Sequence, residues 1–186
     1  MSRLDFTMMY VFHDALRRDL GRLTRYDGGG RPLGWHLFTT FLHIHHTAED
    51  DLLWPAVPSD DPVLTAMAAE HATLDPLLTA VDTALRTNTD HLPATAQLTE
   101  GLTAHLRHEE EVALPLLDAH LDEGSWATFG AAHRERAGED LPSYLPWLLD
   151  EQPRADAVLA ALPEEFQTRY LRTWQPAYAA LDRWPG

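Results

Sequence analysis

One stretch of eleven residues is written twice, and nothing else in the chain constrains its fold as tightly. It runs from His45 to Pro55 and again from His105 to Pro115. Both copies read His-x-x-x-Glu-acid-acid-apolar-x-apolar-Pro. On a helix, residues i and i+4 lie on one face, so each copy aims an imidazole and a carboxylate the same way. The neighbours fix that direction. Phe38, Leu42, His45, Glu49 and Leu52 are spaced 4, 3, 4, 3, as are Leu98, Leu102, His105, Glu109 and Val112. Such a heptad stripe packs inward in a helical bundle. Each copy therefore buries a carboxylate among apolar residues, where it needs a partner.

The preceding helices repeat as well. Phe6, Met9, His13, Leu16 and Leu20 map onto Leu64, Met67, His71, Leu74 and Leu78 at a constant offset of 58, and the motif helices map at an offset of 60. Helices are expected from about Leu4 to Leu23, from Gly34 to Leu53, from Pro62 to Thr87 and from Ala94 to Leu116. Glycines 28–30 and Pro32 mark a loop. Ser59-Asp60-Asp61-Pro62 reads as a helix cap with proline first, and Pro76 should kink or interrupt the third helix. Two copies of a helical hairpin predict an all-α fold, an antiparallel four-helix bundle over residues 1–120.

Residues 121–186 leave the repeat but stay helical in pattern, and they hold four of the six tryptophans. They are expected to form a helical, aromatic-rich C-terminal extension packed on the bundle. A homodimer interface is the other use for that apolar surface. The chain has no cysteine, so thiolate ligands and disulfides are excluded. Its net charge of −15 disfavours nucleic acid and anionic membranes as partners. No apolar run approaches the roughly 18 residues of a membrane span. Without a secretion signal at the start, the expected location is cytoplasmic.

A single histidine on an inward stripe is usually a satisfied core residue. Four of them with two glutamates, and no Lys or Arg on the same stripes, is a different matter. His13, His45, Glu49, His71, His105 and Glu109 fit a dinuclear metal site with two imidazoles per ion and two bridging carboxylates. Nitrogen and oxygen donors without sulfur suit iron, manganese or zinc. His46 and His108 flank the ligands and read as outer partners, with His46–Asp50 as an alternative pair. Tyr10, one turn before His13, reads as core packing within reach of the metals. His36 and His43 lie off the site, and His91, His120 and His133 are expected at the surface.

These residues together resemble the hemerythrin-like, HHE cation-binding domain family over about residues 5–120. The resemblance implies two iron ions (Fe2+/Fe3+), bridged by carboxylates and an oxo or hydroxo oxygen, that react with dioxygen; manganese and zinc are the lesser alternatives. Two departures from the oxygen carriers of that family stand out. Their second third-helix histidine is replaced here by Asp75, and their last carboxylate falls at Glu110, whereas the stripe spacing favours Glu109. A lost histidine implies more open coordination, unless Asp75 fills it.

Three classes of function follow. The first is an oxidoreductase that activates dioxygen or peroxide and oxidises a small-molecule substrate. The second is a carrier or sensor of dioxygen or nitric oxide. The third is iron handling without a substrate.

Overall fold

The computed structural model describes residues 2–58 and 60–186. They are all-α, with no strand among them and no helix long and apolar enough to cross a membrane. Helix α1 spans Thr7–Arg25, α2 Leu33–Ala48, α3 Pro62–Thr87 and α4 Leu92–His108. Asp61 caps α3 by accepting from the Val63 N–H, with Pro62 behind it. Ser59, the first residue of the expected cap, lies outside the described residues. Helix α3 continues through Pro76, which lacks the N–H for one backbone hydrogen bond. It ends where Asn88 turns left-handed, and the Asn88 N–H reaches the Leu85 carbonyl.

The first motif helix ends near Pro55 as expected, in a short 3-10 turn over Trp54–Ala56, whereas the second runs on past Leu116. Beyond α2 the chain widens into a π turn over Glu49–Leu53, and beyond α4 into another over Glu109–Ala113. The Trp54 N–H bonds the Glu49 carbonyl and the Leu114 N–H bonds that of Glu109, each five residues back. After the second turn, α5 continues over Leu114–His120. A π turn holds one more residue than an α turn, so the inward stripe slips by one. Leu53 and Ala113 are fully buried, Leu52 is only half-buried, and Val112 is 39% exposed. The heptad count placed Leu52 and Val112 inside. It fails there because the period changes at the glutamates.

Helix α1 packs on α2 and α4, and α3 packs on α4. The expected stripe residues up to the glutamates line the interior. The chain then continues through α6 (Glu123–Ala137), α7 (Leu141–Leu149), α8 (Ala155–Ala161), α9 (Glu164–Arg169), a third π turn (Tyr170–Trp174) and α10 (Gln175–Ala179). Helix α6 lies on α2 and its π turn, and α7 lies on α1 and α2. These later helices cover the flank formed by α1 and α2. Fully buried Trp147 packs against Phe12 and Phe41, and its indole N–H donates to buried Asp19 at 2.7 Å. Arg18 and Arg22 compensate the Asp19 charge. The tail closes on the loop before α2: the Gly34 N–H donates to the Arg183 carbonyl at 2.7 Å, and the Trp184 ring occupies the space a Gly34 side chain would need.

Candidate metal centre

The six expected ligands converge from four helices, and all are buried. Glu49 Oε1 stands 3.0 Å from His45 Nε2 and its Oε2 3.5 Å from His71 Nε2. Glu109 Oε2 stands 3.2 Å from His13 Nε2 and 4.0 Å from His105 Nε2. Each carboxylate thus lies between an imidazole of one half and an imidazole of the other. The donors fall into two metal-sized groups, His13–His45–Glu109 and His46–His71–His105.

His46 is therefore inside the site rather than an outer partner. Its ring stacks on His71 with centroids 4.0 Å apart. Adjacent helical residues are about 100° apart around the axis, close enough for both to face a broad interior. The repeat itself carried the signal, because the matching residue after His105 is the apolar Leu106, which is fully buried where His46 is half-buried.

Four of the five imidazoles have an outer partner at Nδ1. His13 donates to Glu110 at 2.8 Å, His71 to Asp50 at 3.1 Å, and His105 to Glu70 at 2.9 Å. His45 faces His133 Nε2 at 3.2 Å. The His133 Nδ1 lies 3.1 Å from the Phe129 carbonyl, which can only accept, so its Nε2 is the acceptor and His45 donates. All four thereby hold a proton on Nδ1 and turn Nε2 inward, the arrangement usual for metal-bound histidines; on His13 the inner lone pair is freed only when a metal displaces the second proton.

The remaining residues sort by contact. Glu110 also meets Arg17 at 2.9 Å and sits on the outer side of His13, leaving Glu109 in the centre. Asp50 serves His71, not His46. His108 is half-buried and shares Glu70 with His105. Asp75 is exposed and fills no position in the site. Tyr10 packs among the apolar residues around Met9 and Trp54. His36, His43 and His120 are exposed as expected. His133 and His91 are not: both are buried, and His91 donates to the Tyr26 carbonyl. Glu70 and His133 were not singled out, one lying off its stripe and the other beyond the repeat. Trp126, Phe129, His133 and Ala137, spaced 3, 4, 4, mark the inward face of α6 in the sequence.

The electrostatics do not close without a cation. Within the site, seven buried atoms make no hydrogen bond to the described residues: Nε2 of His46, His71 and His105, and all four oxygens of Glu49 and Glu109. Burial and the neighbouring Glu109 charge hold the Glu49 carboxyl well above the usual carboxylate range. Burial acts on Glu109 in the same direction, but His13 outweighs it and holds Glu109 down. Burial also opposes charge on His13, yet Glu109 and Glu110 push it up to about 9. Burial and the neighbouring imidazoles hold His45 and His46 well below the ordinary histidine value, neutral and able to ligate. Orphaned, inward-turned nitrogen and oxygen donors with no competing Lys or Arg fit metal ions.

The family model of the hemerythrin HHE cation-binding domain matches residues 4–117, a span that includes all five imidazoles and both central carboxylates. No curated protein and no solved structure matches the chain. On that match the chain belongs to the hemerythrin HHE cation-binding domain family.

Proposed function

We propose that the chain is a non-haem di-iron protein that binds and activates dioxygen or peroxide and oxidises a small molecule. The observation that carries this reading is the pair of donor groups with two carboxylates set between them. The four long helices, each supplying its donors from an inward stripe, support an antiparallel four-helix bundle as the frame. A sulfur-free set of imidazoles and carboxylates suits iron, with manganese or zinc as lesser fits. Two iron ions held there supply one-electron redox steps and a place for dioxygen to be reduced.

The chain's own residues do the rest. Glu110, His133, Asp50 and Glu70 hold protons on the outer ring nitrogens and keep the inner ones free. The halves are unequal: one offers His46, His71 and His105, the other only His13 and His45. His46 restores the imidazole that Asp75 does not supply, so the openness expected from Asp75 narrows to the His13–His45 half. That half also adjoins an apolar cavity lined by His45 and Phe12, which favours turnover of a substrate over simple carriage.

Anaerobic loading with ferrous iron, followed by dioxygen, tests the reading. Two irons per chain and rapid passage to the diferric state are expected. A long-lived coloured species that reverses when dioxygen is removed would make the protein a carrier or sensor instead. Failure to bind iron at all would end the di-iron reading.

A further inference from the structure

A cavity of about 350 Å³ lies between α1, α6 and α7, with a wall from α9. Roughly 150 Å³ of dry apolar space takes up benzene, so this one has room for about two fused rings. Its walls are mostly aromatic and aliphatic, including Phe12, Phe129, Leu145 and Phe166. The charged residues on its lining are Asp5 and Arg134, both exposed, which places them at the mouth.

Inside, the polar groups are mostly committed. Both ring nitrogens of His133 are engaged, one with the Phe129 carbonyl and one with His45. Tyr144 is the exception: it lines the cavity, it is only 7% exposed, and its hydroxyl takes part in no side-chain hydrogen bond among the described residues, although it is not sealed from water. Its ring is held edge-on against Phe41 at 4.9 Å. Burial pushes the phenol up, so it stays protonated and keeps a proton to donate. A ligand acceptor that replaces water at this hydroxyl gains about one net hydrogen bond.

We propose that this cavity binds a neutral aromatic molecule of about two fused rings carrying one hydrogen-bond acceptor, which the Tyr144 hydroxyl engages. An anion is disfavoured, because it would lose its hydration with no cation inside the cavity. Phe12 lines the cavity and stacks on the metal-site His45, with centroids 4.1 Å apart. His45 itself lines the cavity, so the occupant borders the donor cluster directly. Its role as substrate rests on the di-iron reading; its binding does not.

The test uses the full chain loaded with iron, with iron content measured separately from binding. The probes are 1-tetralone, its hydrocarbon counterpart tetralin, and 1-naphthoate, followed by calorimetry and by fluorescence of Trp126, which lines the cavity. One tetralone per chain is expected, bound roughly fivefold tighter than tetralin, the factor of one net hydrogen bond. Tyr144→Phe should erase that ratio while leaving tetralin affinity unchanged. Ala127→Trp, at an exposed position on the cavity lining, should abolish binding of both with helix content and iron retained. No saturable binding of either ring compound to iron-replete protein would overturn the proposal. So would an unchanged ratio in Tyr144→Phe, or tighter binding of naphthoate than of tetralone. Tetralone binding by a chain that takes up no iron would sustain the cavity and defeat the di-iron reading alone.

Discussion

Replacing His133 with phenylalanine should weaken one metal position and spare the other. The ring would keep its edge-on packing on Phe129, whose centroid is 4.4 Å away, while the acceptor for His45 is lost. In the metal-free variant the His45 proton can then move from Nδ1 to Nε2, where Glu49 Oε1 lies 3.0 Å away. Metal binding must reverse that shift and leave an Nδ1–H facing a hydrocarbon ring. An unsatisfied buried donor costs about 1–3 kcal/mol, or roughly 5- to 150-fold in affinity. Loss of an outer partner to a ligand histidine typically costs about 10–100-fold, which agrees. His46, His71 and His105 make no contact with His133, so their half should bind as before. Competition titrations against a chromophoric chelator should therefore resolve one weakened and one unchanged step. His133→Gln, whose amide oxygen can accept, should recover most of the loss. Wild-type affinity at both steps in a folded His133→Phe protein would refute the tautomer argument. So would His133→Gln binding as weakly as His133→Phe.

Three further outcomes are expected. Glu49→Gln, which removes the charge set between His45 and His71, should weaken both metal positions by more than the roughly 10–100-fold of an outer partner; elemental analysis showing two tightly held metals would count against a shared carboxylate. Stripping the metal should lower Tm by roughly 8–16 °C, from about 4 kcal/mol of linkage at 1,000-fold Kd in a protein of this size; an unchanged Tm would mean that the buried donors satisfy one another. Gly34→Ala, which drives a methyl into the Trp184 ring, should cost about 2 kcal/mol and roughly 4–8 °C in thermal melts, with metal content unchanged.

The donor set was legible because it is periodic. His13, His45, Glu49, His71, His105 and Glu109 all lie on stripes that a helical period identifies, and up to the glutamates those stripes are buried except at half-buried Leu64 and Leu78. What escaped the sequence was whatever departs from local periodicity. His46 is off its stripe by one residue, and only comparison with Leu106 marks its position as interior. His133 and Glu70 reach their partners across 88 and 35 residues, pairings that no spacing rule encodes. The cavity needs α6 and α7 folded back on α1, so its lining residues carry no common motif.

The slip of the stripe beyond each glutamate did have a local mark in the sequence. The π turns begin at Glu49, Glu109 and Tyr170, and prolines follow at 55, 115 and 176, six residues on in every case. Proline has no N–H to donate, and its ring crowds the carbonyl four residues back, here Asp51, Glu111 and Arg172. A wider turn relieves that crowding and keeps the helix running. The third turn bears none of the site's donors, so the widening does not require the ligand set; helices α3 and α7, which run as α-helix through Pro76 and Pro146, show that proline accommodates such a turn without imposing it. Its consequence at the centre is specific all the same. The i, i+4 pairing that aims His45 and Glu49 together ends before the turn begins, so the ligand geometry is left intact. The extra residue then rotates the following stretch by about 100°. That rotation places Leu53 and Ala113, instead of Leu52 and Val112, in the apolar layer with Met67 and Leu114. Two helices can in this way present a carboxylate inward and still close an apolar cap immediately beyond it.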